Sequence, residues 1–204
     1  MRILLLRHAP TPWNLERRIQ GRTDIGLSES ARATLQKTKL PRAWLQQRWI
    51  TSPLRRTRDT AKLLGAIDSE PHDELTEMHW GQFEGLMLSE INQKIIALGL
   101  QPDRGLDLLP PGGESPRMVR DRLALWLKTL APRDATTVVV THKGVIRAAL
   151  SLATGWDMQQ PFAEKVDWSL PLAFESDQDS LLKLIAVNCA WADTKILEPA
   201  SVSC

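Results

Sequence analysis

The sequence predicts an α/β protein, a three-layer α/β/α sandwich built around a mostly parallel sheet. Two observations carry that prediction. Short unbroken apolar runs, ILLL at residues 3–6 and the valines of TTVVVT at 136–141, suit strands covered on both faces. Stretches with helical spacing of apolar residues separate the strand candidates, and that alternation lays helices on both faces of a parallel sheet.

The elements follow in order. Residues 3–6 are the first strand. Residues 27–39 read as a helix, with Ser28 as N-cap and Pro41 ending it. A short strand at 49–52 leads into a helix at 56–67. Residues 72–77 read as another short strand and 84–98 as mostly helix. Prolines at 102, 110 and 111, with glycines at 105, 112 and 113, make 101–114 a loop and a candidate lid. Val119, Leu123, Trp126, Leu127 and Leu130 recur at helical spacing, so a helix packs there. Residues 136–141 form a second buried strand and 145–152 a helix. Segments 165–175 and 181–187 flank the turn-like SDQDS and read as an antiparallel pair.

A chain of 204 residues with 43% hydrophobic content can bury a core without disulfides or a structural metal, and reads as one domain over 1–204 with a small cap at 86–113. Twenty-six basic against 24 acidic residues, with no polybasic run, argue against a nucleic-acid partner. Two cysteines, Cys189 and Cys204, lie apart with no ligand set near them; this argues against a zinc site or disulfide framework and for a reducing compartment. Residues 3–6 are too short for a signal peptide's apolar region, and no apolar run reaches membrane-spanning length, so the expectation is a cytoplasmic protein with no membrane partner. Eight Trp with no Tyr have no functional reading.

Polar residues collect where such folds bind ligands, beyond the carboxyl ends of the strands. Segment 3–6 ends in Arg7 and His8, and 49–52 leads to Arg55 and Arg56. Segment 72–75 leads to Glu77, and 138–140 ends in Thr141 and His142. Pro10 and Pro12 stop the first strand and hold a rigid loop from which Asn14 can turn back. Two imidazoles, guanidinium groups and one carboxylate suit a dianionic phosphate. Arg matches phosphate oxygens with a planar fork of donors. A neutral His can take a phosphoryl group on nitrogen, and a second, protonated His can stabilise the transition-state oxygens. A carboxyl group can protonate the leaving oxygen and then deprotonate water. Lys143 and Gly144 open the helix after His142, whose first N–H groups face the anion as well.

These motifs resemble those of the histidine phosphatase superfamily, the phosphoglycerate mutase-like "RHG" proteins. RHAPT stands where the family has Arg-His-Gly-Glu-Thr. RIQGRTDIGLSESA, TSPLRRTRDTAKLL, DELTEMHWGQFEG, PPGGES and THKGVIRAAL follow in the family's order over nearly the whole chain. The resemblance implies the phosphoglycerate mutase-like fold. It implies His8 as the nucleophile that becomes phosphohistidine, Glu77 as proton donor, and Arg7, Arg56, His142 and Asn14 as phosphate-binding residues, with Lys143 and Gly144 beside them. No metal or other cofactor is implied; the partner is a small phosphomonoester, and a homodimer is an allowed assembly.

Two departures stand out: Ala9-Pro10 replaces Gly-Glu, and Lys143 replaces a common glycine, so its ammonium group can favour a more anionic substrate. A compact stretch from Glu77 to His142 favours a phosphatase over a mutase, with α-ribazole 5′-phosphate among the candidate substrates. A phosphoglycerate mutase-type phosphotransferase and a catalytically inactive phospho-ligand-binding module are the alternatives. Of the remaining polar residues, His72 reads as a surface group, Arg55 as solvated, and Glu84 and Glu114 as helix caps. His79 and Arg22 read as structural or pocket-edge groups, Trp80 as buried against the sheet, and Trp13 as a substrate flank.

Overall fold

The computed structural model describes residues 1–97, 105–130, 136–177 and 179–198. Strand β1 (Arg2–Arg7) pairs in parallel with β4 (Thr137–Thr141), which pairs in parallel with β2 (Arg48–Thr51), itself parallel to the two-residue β3 (Glu70–Pro71). On the other side β1 pairs antiparallel with β5 (Leu172–Ser176), followed by antiparallel β6 (Leu182–Ala186). The sheet order is β3-β2-β4-β1-β5-β6, so β5 alone runs against the rest.

Alternation along the strands divides the core. Ile3, Leu5, Ile50 and Val139 face one layer, where they pack against α6 (Pro116–Thr129) and α7 (Lys143–Thr154). Leu4, Leu6, Trp49, Val138 and Val140 face the other, which holds α3 (Arg42–Leu45) and α4 (Arg55–Leu63). Helix α2 (Glu29–Lys37) lies on α4. It is capped by the Ser28 hydroxyl, which accepts from Ala31 N at 3.2 Å, as expected. The five apolar residues spaced along α6 are all buried, and Ser115 caps that helix.

Four expectations are corrected. No strand occupies 72–77: β3 ends at Pro71, His72 N makes the last bond to β2 at Thr51 O (2.8 Å), and Asp73–Leu75 turns as a 3₁₀ segment that buries Leu75. The helix expected from 84 starts only at Leu88, as α5 (Leu88–Ala97), because Gly85 takes a positive φ of 80°. The β5–β6 hairpin begins at Leu172 rather than 165, and 165–171 is a loop ending in Pro171. Helix α4 also stops at Leu63, with Gly65 at φ 101°. Residues 98–104 of the expected cap, Gln178 of SDQDS, and Cys204 lie outside the described residues. Among the described residues no helix is long and apolar enough to cross a membrane.

Candidate active site

The parallel register of β1 and β4 creates the centre of the site. Arg7 stands opposite Thr141, and His8 N donates to Thr141 O at 2.9 Å. The next residue on each strand is therefore a histidine, and the His8 and His142 rings lie 5.2 Å apart at 60°. From the adjacent strand, β2 leads into α4 and delivers Arg56, whose side chain is fully buried. Its guanidinium donates from Nε to His142 Nδ1 (3.3 Å), from Nη1 to Thr23 O (2.9 Å) and from Nη2 to Gly21 O (2.6 Å).

These bonds fix both imidazole tautomers. His8 Nδ1 lies 2.8 Å from Ala9 O. A carbonyl only accepts, so Nδ1 carries the proton and Nε2 keeps its lone pair. At His142 the order is reversed. Arg56 Nε only donates, so His142 Nδ1 accepts and Nε2 bears the hydrogen. His142 Nε2 and Arg7 Nε are both buried without a protein hydrogen-bond partner. A nucleophilic nitrogen and two unsatisfied donors thus converge, the inventory that an anionic phosphoryl group completes.

Glu77 lies against the start of α7. Its Oε1 accepts from Met78 N at 2.8 Å and its Oε2 from Gly144 N at 3.3 Å. A Cβ built on Gly144 would overlap the Glu77 carboxylate, so glycine at this position lets the carboxylate sit where it does. Glu77 opposes the positive charges around it: burial lowers the Arg7, Lys143 and Arg147 pKa values, and Glu77 raises them. Lys143 Nζ sits 4.8 Å from the centroid of the Trp168 ring. Asn14 is occupied locally, its Oδ1 accepting from Thr11 N at 3.0 Å in a capping box at α1 (Pro12–Leu15). The structure thus brings Arg7, His8, Arg56, Glu77, His142, Lys143 and Gly144 together and gives Asn14 a loop-fixing bond.

Burial, followed by the charges of Arg56 and Arg7, drives the His8 pKa well below the ordinary histidine value. Burial and Arg56 do the same to His142. Both rings are therefore neutral near pH 7, and the second histidine acts as a neutral N–H donor rather than the expected imidazolium. Burial brings Arg56 down to about 10, which leaves it charged.

Two carboxylates read from sequence as helix caps instead pin the loops that hold the site. Glu84 accepts from Arg22 N, Thr23 N and the Thr23 hydroxyl, so it fixes the loop whose carbonyls receive Arg56. Glu114 accepts from Arg122 Nε at 2.9 Å and from His79 N at 3.1 Å. Arg122 in turn donates to Glu74 O and Thr76 O, bracing the segment that carries Glu77. Burial pushes the Glu114 carboxyl up, but the Arg122 bond and charge, the His79 N–H and the Arg22 charge together outweigh it and leave it below the usual glutamate value. Sequence reading missed Arg122; its signal was one Arg on a helix already assigned to packing. His72 is more than a surface group, since it accepts from Trp126 Nε1 at 2.9 Å. Arg55 is exposed, as expected. Trp80 packs against the core; Trp13 packs beside Gly85.

The sequence model of the histidine phosphatase superfamily (branch 1) matches residues 3–169. An acid phosphatase of Mycobacterium tuberculosis is 35% identical, over 84% of this chain and 83% of its own length. A 2,3-bisphosphoglycerate-dependent phosphoglycerate mutase of Gloeobacter violaceus is 29% identical, over 87% of this chain and 86% of its own. The solved structure of a mycobacterial glucosyl-3-phosphoglycerate phosphatase complexed with VO3 superposes with a TM-score of 0.74 at 26% identity, covering 93% of this chain and 99% of that one.

Two outcomes follow from the site geometry. Replacing Gly144 with Ala displaces the Glu77 carboxylate and lowers kcat at least tenfold, with a melting temperature close to wild type; unchanged kcat shows that the carboxylate has room to move. The neutral histidines also set the acid limit of stability. Their folded pKa values lie below the unfolded value of about 6.5, so the unfolded chain binds more protons as pH falls through that value. Unfolding free energy therefore drops below pH 6.5, by up to about 1.4 kcal/mol per pH unit per ring. Urea melts between pH 7 and 5 measure the slope, which His142→Gln reduces.

Proposed function

The chain belongs to the histidine phosphatase superfamily, and on that premise we propose that it hydrolyses phosphomonoesters through a phosphohistidine at His8. The observation that carries this reading is the pair of opposed tautomers, a free lone pair on His8 Nε2 beside an unpartnered N–H on His142. His8 Nε2 attacks phosphorus. Arg7, Arg56 and the His142 N–H hold the phosphoryl oxygens, and Glu77 in its acid form protonates the oxygen whose bond to phosphorus breaks. Water then attacks phosphorus, Glu77 takes its proton, the N–P bond breaks, and inorganic phosphate leaves. The capping bond of Asn14 supports a role in shaping the loop over the phosphate.

The substrate is a small phosphorylated metabolite, and α-ribazole 5′-phosphate is one candidate. Hydrolysis is favoured over transfer by the compact stretch between Glu77 and His142, which leaves little chain to close over the phosphohistidine. Transfer through the same phosphohistidine is the second reading. Lys143, near Arg7, and Arg147, near Lys143, support it, as cations that suit a substrate with a second anionic group.

His8→Ala abolishes hydrolysis of p-nitrophenyl phosphate without lowering the melting temperature, and no acid-labile phosphoryl label forms on it; surviving turnover removes His8 as nucleophile. Glu77→Gln slows hydrolysis of an alkyl phosphate by about 10²–10⁴ and of p-nitrophenyl phosphate far less, because a good leaving group needs no proton. Equal losses for both esters exclude Glu77 as proton donor.

A further inference from the structure

Beside Arg7 and His8 lies a cleft of about 1010 Å³, at the upper end of the range for small-molecule pockets; Arg56, Glu77 and His142 lie outside its lining. Arg7, His8, Ala9 and Pro10 line it. Thr34 and Leu35 of α2, Leu64 after α4, and Trp168 and Trp191, from the segments before and after the β5–β6 hairpin, complete the wall. Apart from Arg7 and His8, its titratable residues are Lys165 and Asp167, of opposite charge. Trp168 joins the cleft to the site, because the Lys143 ammonium lies over its ring. The loop forming its floor is fixed: Ala9 N donates to Thr60 Oγ1 at 3.0 Å, and Ser28 N donates to Pro10 O at 2.9 Å.

We propose that this cleft holds the organic group of the substrate, and that the substrate is the phosphomonoester of a bulky apolar or aromatic alcohol. The inference rests on the phosphatase reading above. A molecule with its phosphoryl group at His8 has its remainder at the mouth of a wall of leucine and tryptophan side chains. The hydroxyl and amide groups that also line it, on Ser30, Thr34, Thr38, Thr60, Ser169 and Asn188, are already hydrogen-bonded within the protein, so the wall offers little to a polyhydroxylated group, which would leave most of its hydroxyls unpaired. An aromatic ester buries its rings there and forfeits nothing. The pair Ala9-Pro10 fits this role, since it puts two apolar residues on the wall where the family has a glycine and a carboxylate.

Thr34 is exposed on the cleft wall and outside the phosphate-binding machinery, so Thr34→Trp fills the cleft without touching the chemistry. Thr38→Trp, at the end of the same helix, is a second blocker in case the first folds poorly. Each ester is its own reference between variants, so differences in leaving group cancel. The expected result is a fall in kcat/KM for 1-naphthyl phosphate of about tenfold or more, with glycerol 2-phosphate changed by less than about twofold. Equal effects on the two esters, or none, overturn the cleft as substrate pocket while the phosphatase reading stands. Hydrolysis of neither ester by the wild-type protein overturns the phosphatase reading and the cleft with it. A change in sedimentation mass with both kcat/KM values unaltered shows that a second copy of the chain fills the cleft, and the proposal fails.

Discussion

The in-register parallel pairing of β1 with β4 is the constraint from which the site follows. It sets Arg7 beside Thr141, so two strands far apart in sequence both end in histidine at the same height. Three rungs of buried aliphatic pairs, Leu4 with Val138, Leu5 with Val139 and Leu6 with Val140, enforce it from both faces, because a slip of one residue would turn Ile3 and Leu5 into the layer built for Leu4 and Leu6. The catalytic geometry is thus a consequence of core packing, and the rings need no dedicated scaffold of their own.

A buried guanidinium is the second condition, and it imposes costs elsewhere. Arg56 loses its water entirely, and an unpaired buried charge costs several kcal/mol. Backbone carbonyls of Gly21 and Thr23, rather than a carboxylate, receive it. The carboxylates of Glu77, Asp24 and Glu84 act on it by charge alone, without a hydrogen bond, so its positive charge remains available to an incoming anion and adds to burial in keeping the neighbouring histidines neutral. Glu84 contributes at one remove, fixing the loop that offers those carbonyls. Glu114 and Arg122 do the same for the segment bearing Glu77. Glu84 is therefore spent mainly on backbone and Glu114 on Arg122, Arg22 and the His79 N–H, while Glu77 faces Arg7, Arg56, Lys143 and Arg147.

The site has two sides of different character. Toward α7 it is cationic, with Lys143 and Arg147 stacked on Trp168 and Trp156. Toward α2 it is apolar. Trp168 touches both, with Lys143 over its ring and the cleft along its edge. Substrate choice in such a site is a balance between a second anionic group on one side and a hydrophobic body on the other.

The central strands, the helices of the two layers and the placing of Arg7, His8 and His142 at one sheet edge were legible in the sequence, because apolar periodicity reports burial and because these residues end or directly follow β1 and β4; Arg56 reaches the same place from α4 and Glu77 from the loop after a 3₁₀ turn. Short and loop-bound features were not. Gly65 and Gly85 shifted element boundaries through backbone geometry that periodicity does not register, and Glu84, Glu114 and Arg122 act through backbone atoms brought close only by folding. The sequence alone determined which chemical groups stand at the sheet edge. Only the tertiary structure decided their protonation and partners, because tautomers, buried charges and a cleft between α2 and two distant loops depend on distances between residues that the chain order keeps far apart.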